Sequence, residues 1–162
     1  MLRYLSLLLP LLLLASPQSD WWNSATKQQR AIVHLAYSIG LPSDYGITLA
    51  AITIVESNAG MYRISTNGDD YGVTQVNLHY FLKSRGIVES QWTRSAWATE
   101  LVRNDILSLT YSLELLLYNR AKYGSYRASI NAYNGRCNLV TDDYYNRIKP
   151  WVVFLKRIFP KY

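Results

Sequence analysis

The stretch Asp44–Ser57, DYGITLAAITIVES, decides the fold. Ile47, Ala50, Ala51 and Ile54 recur at i, i+3, i+4 and i+7, the spacing that lines one face of an α-helix. The rest of the stretch is apolar almost all round, so a helix here is expected to be buried on most of its sides. It delivers the carboxyl group of Glu56 to its C-terminal end, with Ile52 one turn behind and Val55 adjacent. Two effects raise a carboxyl pKa at such a place: desolvation by apolar neighbours and the negative end of the helix dipole. A glutamic acid that keeps its proton near neutral pH can act as a general acid on a glycosidic oxygen. Taken alone, a glutamate at a helix end is more often simply turned to solvent, and other residues must decide.

Helical patterning continues on both sides. Ala31, Val33, His34, Leu35 and Ile39 predict a helix closed by Gly40, and Pro42–Ser43 is the start signal for the next. Asn58 to Gly72, with Gly60, Asn67, Gly68, Asp69 and Asp70, reads as a loop or a short hairpin. Helices are expected at Leu78–Ser84, around Ala96–Arg103, and at Asp105–Tyr123, the longest, closed by Gly124. That longest helix carries one stripe of Ile106, Leu109, Leu113, Leu116 and Leu117 and a second of Leu107, Tyr111, Leu115 and Tyr118, as a central helix would. Tyr126–Tyr133 and Asp142–Phe159 complete the set, the latter bent or broken at Pro150. The expectation is a mainly α single domain with a central buried helix.

With 162 residues and 18.7 kDa, one domain is the natural count. Hydrophobic residues at 49% and charged residues at 17% suffice for a packed core and exclude a disordered chain. Lys+Arg 17 against Asp+Glu 11 leaves +6, which favours an anionic partner such as cell-wall polymer, membrane surface or nucleic acid. A single cysteine, Cys137, excludes an intrachain disulfide and any multi-cysteine metal site. The 14 tyrosines suit sugar stacking, or equally a helical core with hydroxyls at its rim.

Arg3, the apolar run Leu5–Ala15, and the small residues Ala15, Ser16 and Ser19 follow the order of a secretory signal peptide. The run is well short of the ~20 residues a membrane-spanning helix needs. Residues 1–19 are therefore read as the signal peptide, cut after Ala15 or Ser19, and residues 20–162 as the exported domain. Export with one cysteine points to a bacterial periplasm or envelope, because small secreted eukaryotic domains usually carry several disulfides.

Other chemistry-bearing residues read more simply. Asp69 and Asp70 fit turn chemistry, and Glu114 fits the solvent edge of a long helix. His34 and His79 have no metal-ligand partner at a sensible spacing, and no phosphate-binding, dinucleotide or nucleophile-elbow motif occurs. No cofactor and no metal is expected. Scattered basic residues and export argue against a nucleic-acid partner.

Four elements in order make the reading specific: Glu56-Ser57; Gly72-Val73-Thr74-Gln75-Val76-Asn77; Ala132-Tyr133-Asn134; and Tyr144 with Ile148 four residues on. Together they resemble the lytic transglycosylase domain of the soluble lytic transglycosylase type, whose fold is similar to goose-type lysozyme, over about Trp22 to Tyr162. The resemblance implies that Glu56 protonates the bond between N-acetylmuramic acid and N-acetylglucosamine in peptidoglycan. As a carboxylate, it would then take the proton of the muramic C6 hydroxyl as that oxygen attacks C1, leaving a 1,6-anhydromuramoyl end. The substrate's own N-acetyl group can stabilise the cationic centre, so no second catalytic carboxylate is required. Ser57 would bond near the acid or the sugar, and Gly72 to Gln75 would line the cleft floor, with Asn77 following. Tyr133 and Asn134 would contact sugar, and the Tyr144 hydroxyl would approach Glu56, with Tyr145 as the alternative register.

The chain departs from the resembled pattern in three places. Val73 and Thr74 replace an apolar Leu/Met-Met pair, Gly135-Arg136 follows Asn134 where Ala-Gly is usual, and Ser108 and Ser112 stand where an Asn-Ile-x-x-Gly element is usual. Short exported single-domain members resemble enzymes that open the wall locally for secretion, conjugation or phage systems, acting on peptidoglycan glycan strands as monomers. A muramidase of the same fold, with Asp69 or Asp70 positioning water, and a non-catalytic wall-binding assembly module are the alternatives.

Overall fold

The structure, a computed structural model, describes residues 16–135 and 143–159. Within them the chain is mainly helical: α1 (Pro17–Ser24), α2 (Lys27–Gly40), a short 3-10 turn (Leu41–Ser43), α3 (Gly46–Ser57), a two-stranded hairpin of β1 (Asp70–Tyr71) and β2 (Val76–Asn77), then α4 (Leu78–Ser84), α5 (Gln91–Arg103), α6 (Asp105–Tyr123), α7 (Tyr126–Tyr133) and α8 (Asp143–Ile158). The strands are antiparallel, Asp70 facing Asn77 and Tyr71 facing Val76, and Ile64 adds a single bridge to Tyr71.

The buried helix is α3. Every residue from Thr48 to Ile54 is buried, enclosed by α2, α6 and α8. Close packing of α2 on α3 depends on Gly40, where a Cβ would stand 2.8 Å from the Gly46 nitrogen. A second, smaller core of Val76, Leu78, Phe81, Leu82, Leu101 and Tyr111 lies under β2, α4, α5 and α6. The turn Gly72–Gln75 joins the two: Val73 belongs to the main core and Val76 to the smaller one.

Four expectations change. Asp44 takes a left-handed conformation (φ 61°) and α3 begins at Gly46, because Pro42 seeds a 3-10 turn and not the helix itself. The helix expected around Ala96 starts at Gln91, where Ser90 and Thr93 form a capping box; its sole buried residue is Leu101, so its first turns carry no apolar period. The α6 stripes are also revised: Ile106, Leu117 and Tyr118 are exposed, while Ser108, Ser112 and Asn119 are buried beside Leu109, Tyr111 and Leu116. Finally, α8 runs unbroken through Pro150, which lies on the exposed face with Asn146, the residue whose carbonyl the proline leaves without a donor and water can reach.

Helix α1 was hidden in the leader-like sequence. Ser16 and Ser19 cap it reciprocally, and Trp21 packs edge-on against Trp151 of α8 at 5.3 Å. Residues 1–15, which hold most of the expected signal peptide, lie outside the described residues, as do Arg136, Cys137 and Asp142.

Candidate functional site

Where α3 ends, the backbone is forced into an unusual path. Asn58 (φ 52°) and Ala59 (φ 51°) are both left-handed, and Gly60 (φ 82°) follows them. Among the described residues four non-glycine positions have positive φ, and three of them, Asn58, Ala59 and Gln75, flank Glu56 or lie in the Gly72–Gln75 turn. Such conformations cost roughly 1–3 kcal/mol each and tend to collect at functional sites. Side chains hold the path in place: Gln29 Nε2 donates to the Asn58 carbonyl at 3.0 Å, and Trp21 Nε1 donates to Asn58 Oδ1 at 2.5 Å. Arg63 anchors the next segment to the Val102 carbonyl at 2.8 Å and to Asp105.

Glu56 sits at the mouth of this bend. Its Oε1 and the Tyr144 hydroxyl are buried without a hydrogen bond of good geometry, though the two groups are close enough to act on each other. Burial raises the Glu56 pKa, opposed by the Tyr144 hydroxyl and then the Arg147 guanidinium, both of which favour its anion, and assisted by the negative Asp70. Burial, and after it the charge of Glu56, lifts the Tyr144 pKa well above its ordinary value. Burial also lifts that of Tyr133. Both phenols therefore stay neutral at physiological pH and keep a proton to donate. Their rings lie nearly parallel, centroids 6.0 Å apart and planes at 17°. Tyr144 is 3% exposed. Arg147, one helical turn further along α8, covers its ring at 5.6 Å.

The structure thus brings Glu56, Tyr133 and Tyr144 together, in the Tyr144 register; Tyr145 instead lies under Arg127, 5.2 Å from its guanidinium. The other expected site residues, Ser57, Gly72, Gln75, Asn77 and Asn134, are placed as follows. Ser57 is fully buried: its Oγ lies 2.7 Å from the Val73 carbonyl and 3.1 Å from that of Thr53, and accepts from the Gly60 amide at 2.8 Å. It locks the turn to α3, where its hydroxyl is already bonded to three backbone groups. Gly72 is buried with its α-carbon against Leu101 and Ser108, so it backs the turn and does not surface it. Asn77 is the N-cap of α4, accepting from Tyr80 and donating to Asp70 at 2.9 Å. Gln75 spends its amide nitrogen on the Gly72 and Tyr62 carbonyls, at 3.0 and 3.2 Å. Asn134 is exposed beyond the end of α7.

Of the remaining carboxylates, Asp69 is exposed and paired with Arg94 at 3.2 Å, and Glu114 is exposed and paired with Arg85 at 2.6 Å. Asp70 is the one that acts on Glu56. His79 pairs with Glu89 at 2.7 Å, and the ring of His34 lies against Phe159. An open groove between β1 and α5, lined by Tyr71, Gln91, Arg94, Ser95, Ala98 and Thr99, contains no carboxyl group. Arg147 escaped the sequence reading, although its place three residues after Tyr144 on a helix was the available signal.

No family model, curated protein or solved structure matches this chain. The site is therefore read from its own geometry. Among the described residues no helix is long and apolar enough to cross a membrane, and no group of three or more His, Cys, Asp or Glu could hold a metal ion.

The bonding of Ser57 gives a testable stability effect. Ser57→Ala leaves the Gly60 amide and the Val73 carbonyl without their partner and is expected to cost about 2 kcal/mol in urea unfolding. A residue that only contacted sugar would leave the unfolding midpoint unchanged.

Proposed function

We propose that this chain is a lysozyme-like peptidoglycan lytic transglycosylase, exported to the bacterial envelope, with residues 20–162 as its catalytic domain. One observation carries the reading: Glu56 Oε1 and the Tyr144 hydroxyl are buried against each other at the end of the most buried helix, without a well-formed hydrogen bond to any other group. Buried polar atoms without partners are rare and costly. A polar ligand atom arriving between them, such as a glycosidic oxygen, supplies what they lack.

The chemistry follows from the raised pKa of Glu56. Its proton passes to the glycosidic oxygen as the bond from that oxygen to C1 breaks. The carboxylate so formed takes the proton of the C6 hydroxyl as O6 bonds to C1. Glu56 is regenerated protonated, no water is consumed, and the product carries a 1,6-anhydro ring. Arg147 and the Tyr144 hydroxyl favour the anion that exists between the two transfers. The positive net charge suits an anionic polymer, and a single small catalytic unit suits local wall opening for a secretion, conjugation or phage apparatus.

The second reading is hydrolysis by a muramidase. It rests on Asp70, the one other carboxylate that acts on Glu56, since Asp69 is committed to Arg94. Incubation of purified sacculi with the chain tests the proposal: turbidity falls if it cuts glycan, with the rate declining as pH rises and Glu56 loses its proton. A folded chain that binds sacculi without clearing them at any pH would instead be a wall-binding module.

A further inference from the structure

Four buried hydroxyl groups join the Gly72–Gln75 turn to Tyr133. Thr74 Oγ1 and Ser108 Oγ are 2.7 Å apart, and Ser112 Oγ donates to Thr74 Oγ1 at 2.7 Å. Ser112 Oγ and the Tyr133 hydroxyl are 2.8 Å apart, and that hydroxyl donates to the Thr74 carbonyl at 2.9 Å. Thr74, Ser108 and Ser112 are each 0% exposed. Hydroxyls so deep are stabilising only while each keeps its partners, and losing one partner leaves the others uncompensated. The loop also spans three separate elements: the Gly72–Gln75 turn, α6 and α7.

We propose that this hydroxyl loop is the positioning device of the acid site: it fixes Tyr133 and, through the stacked Tyr133–Tyr144 pair, fixes the hydroxyl that faces Glu56. Thr74, Ser108 and Ser112 are fully buried and none of them acts on Glu56, so these three are positioning residues. The catalytic consequence rests on the proposed function, whereas the geometric one does not. Besides Tyr133 and Tyr144, the groups acting on Glu56 are Arg147 from α8 and Asp70 from β1, and the loop contacts neither of these.

Thr74→Val deletes the hydroxyl at nearly constant volume, and Thr74→Ser keeps it. In the full chain labelled with 13C at glutamate carboxyls and tyrosine rings, Thr74→Val is expected to shift the Tyr133 and Tyr144 signals. It should also move the Glu56 titration and lower kcat on sacculi about tenfold or more with KM little changed, as misplacement of a catalytic group does. Thr74→Ser recovers most of the rate and the parent signals. A folded Thr74→Val chain whose tyrosine signals and Glu56 titration match the parent overturns the proposal. If Thr74→Val does not fold, Tyr133→Phe, which removes the hydroxyl at the other end of the loop, must shift the Tyr144 signal or the proposal fails. Should the signals move while no form clears sacculi, the positioning stands and the proposed function falls.

Discussion

Glu56→Gln is expected to abolish the proposed sacculus clearing, by at least about a thousandfold, and at the same time to stabilise the fold. The first effect follows from the role: an amide of the same shape can neither give a proton to the leaving oxygen nor take one from O6, and general acid–base groups commonly contribute 10²–10⁴-fold. The second follows from burial. The pKa of Glu56 is raised in the fold, so the folded chain holds this proton more tightly than the unfolded chain does. The stability this provides is fully present below the unfolded value of 4.5 and is lost as pH rises through the folded one. Above the unfolded value the unfolded chain is favoured by ionising a carboxyl whose anion the fold disfavours, a cost the glutamine avoids. A gain of about 0.5–2 kcal/mol, the usual size for relieving a strained functional site, is expected at pH 7. The advantage shrinks as pH falls towards 4. Thermal unfolding of both forms across that range checks it, and a Glu56→Gln chain less stable than the parent at pH 7 would mean that the carboxyl is not held against its preference.

Gly72→Ala has the largest expected effect on the fold. At φ 81° a side chain is strained, and its Cβ would stand 2.5 Å from the Leu101 carbonyl oxygen and 2.7 Å from Ser108 Oγ. The strain accounts for about 1 kcal/mol and overpacking against fixed backbone for about 1–3 more. Because the turn joins both cores and carries Thr74, the loss reaches the acid site as well. Gly68→Ala is the control. It has a similar φ of 72° but nothing within 4 Å of the added carbon, so it should show the strain alone. Urea unfolding of the two variants separates clash from conformation, and equal losses would place the penalty in φ and not in the close approach.

Much of the helical framework was legible in the sequence because burial and period coincide there. The α6 bounds, the α7 bounds and the end of α3 at Ser57 follow directly from apolar spacing and from Gly124. The inner face of α6 was not legible. Ser108 and Ser112 count as solvent-facing by hydropathy, and only Thr74 and Tyr133, distant in sequence, give their hydroxyls a reason to be inside. The early turns of α5 failed for the opposite reason, since capping by Ser90 starts a helix that barely enters a core. At the site, residue type pointed to Glu56 and Tyr144, and the fold sets the two side chains against each other. It misled at Ser57 and Asn77, where groups suited to sugar are consumed in holding the turn and capping α4. A short motif reports which side chains gather, but a hydroxyl or amide has few bonds to give, and the fold decides whether any remain.

The most direct measurement is mass spectrometry of the fragments released from purified sacculi by residues 20–162, beside the Glu56→Gln variant. The account predicts fragments ending in 1,6-anhydromuramic acid from the parent and none from the variant. Hydrated reducing ends would contradict it and move the chemistry to water positioned by Asp70. Equal release by the variant would contradict it at the root, by removing Glu56 from the reaction.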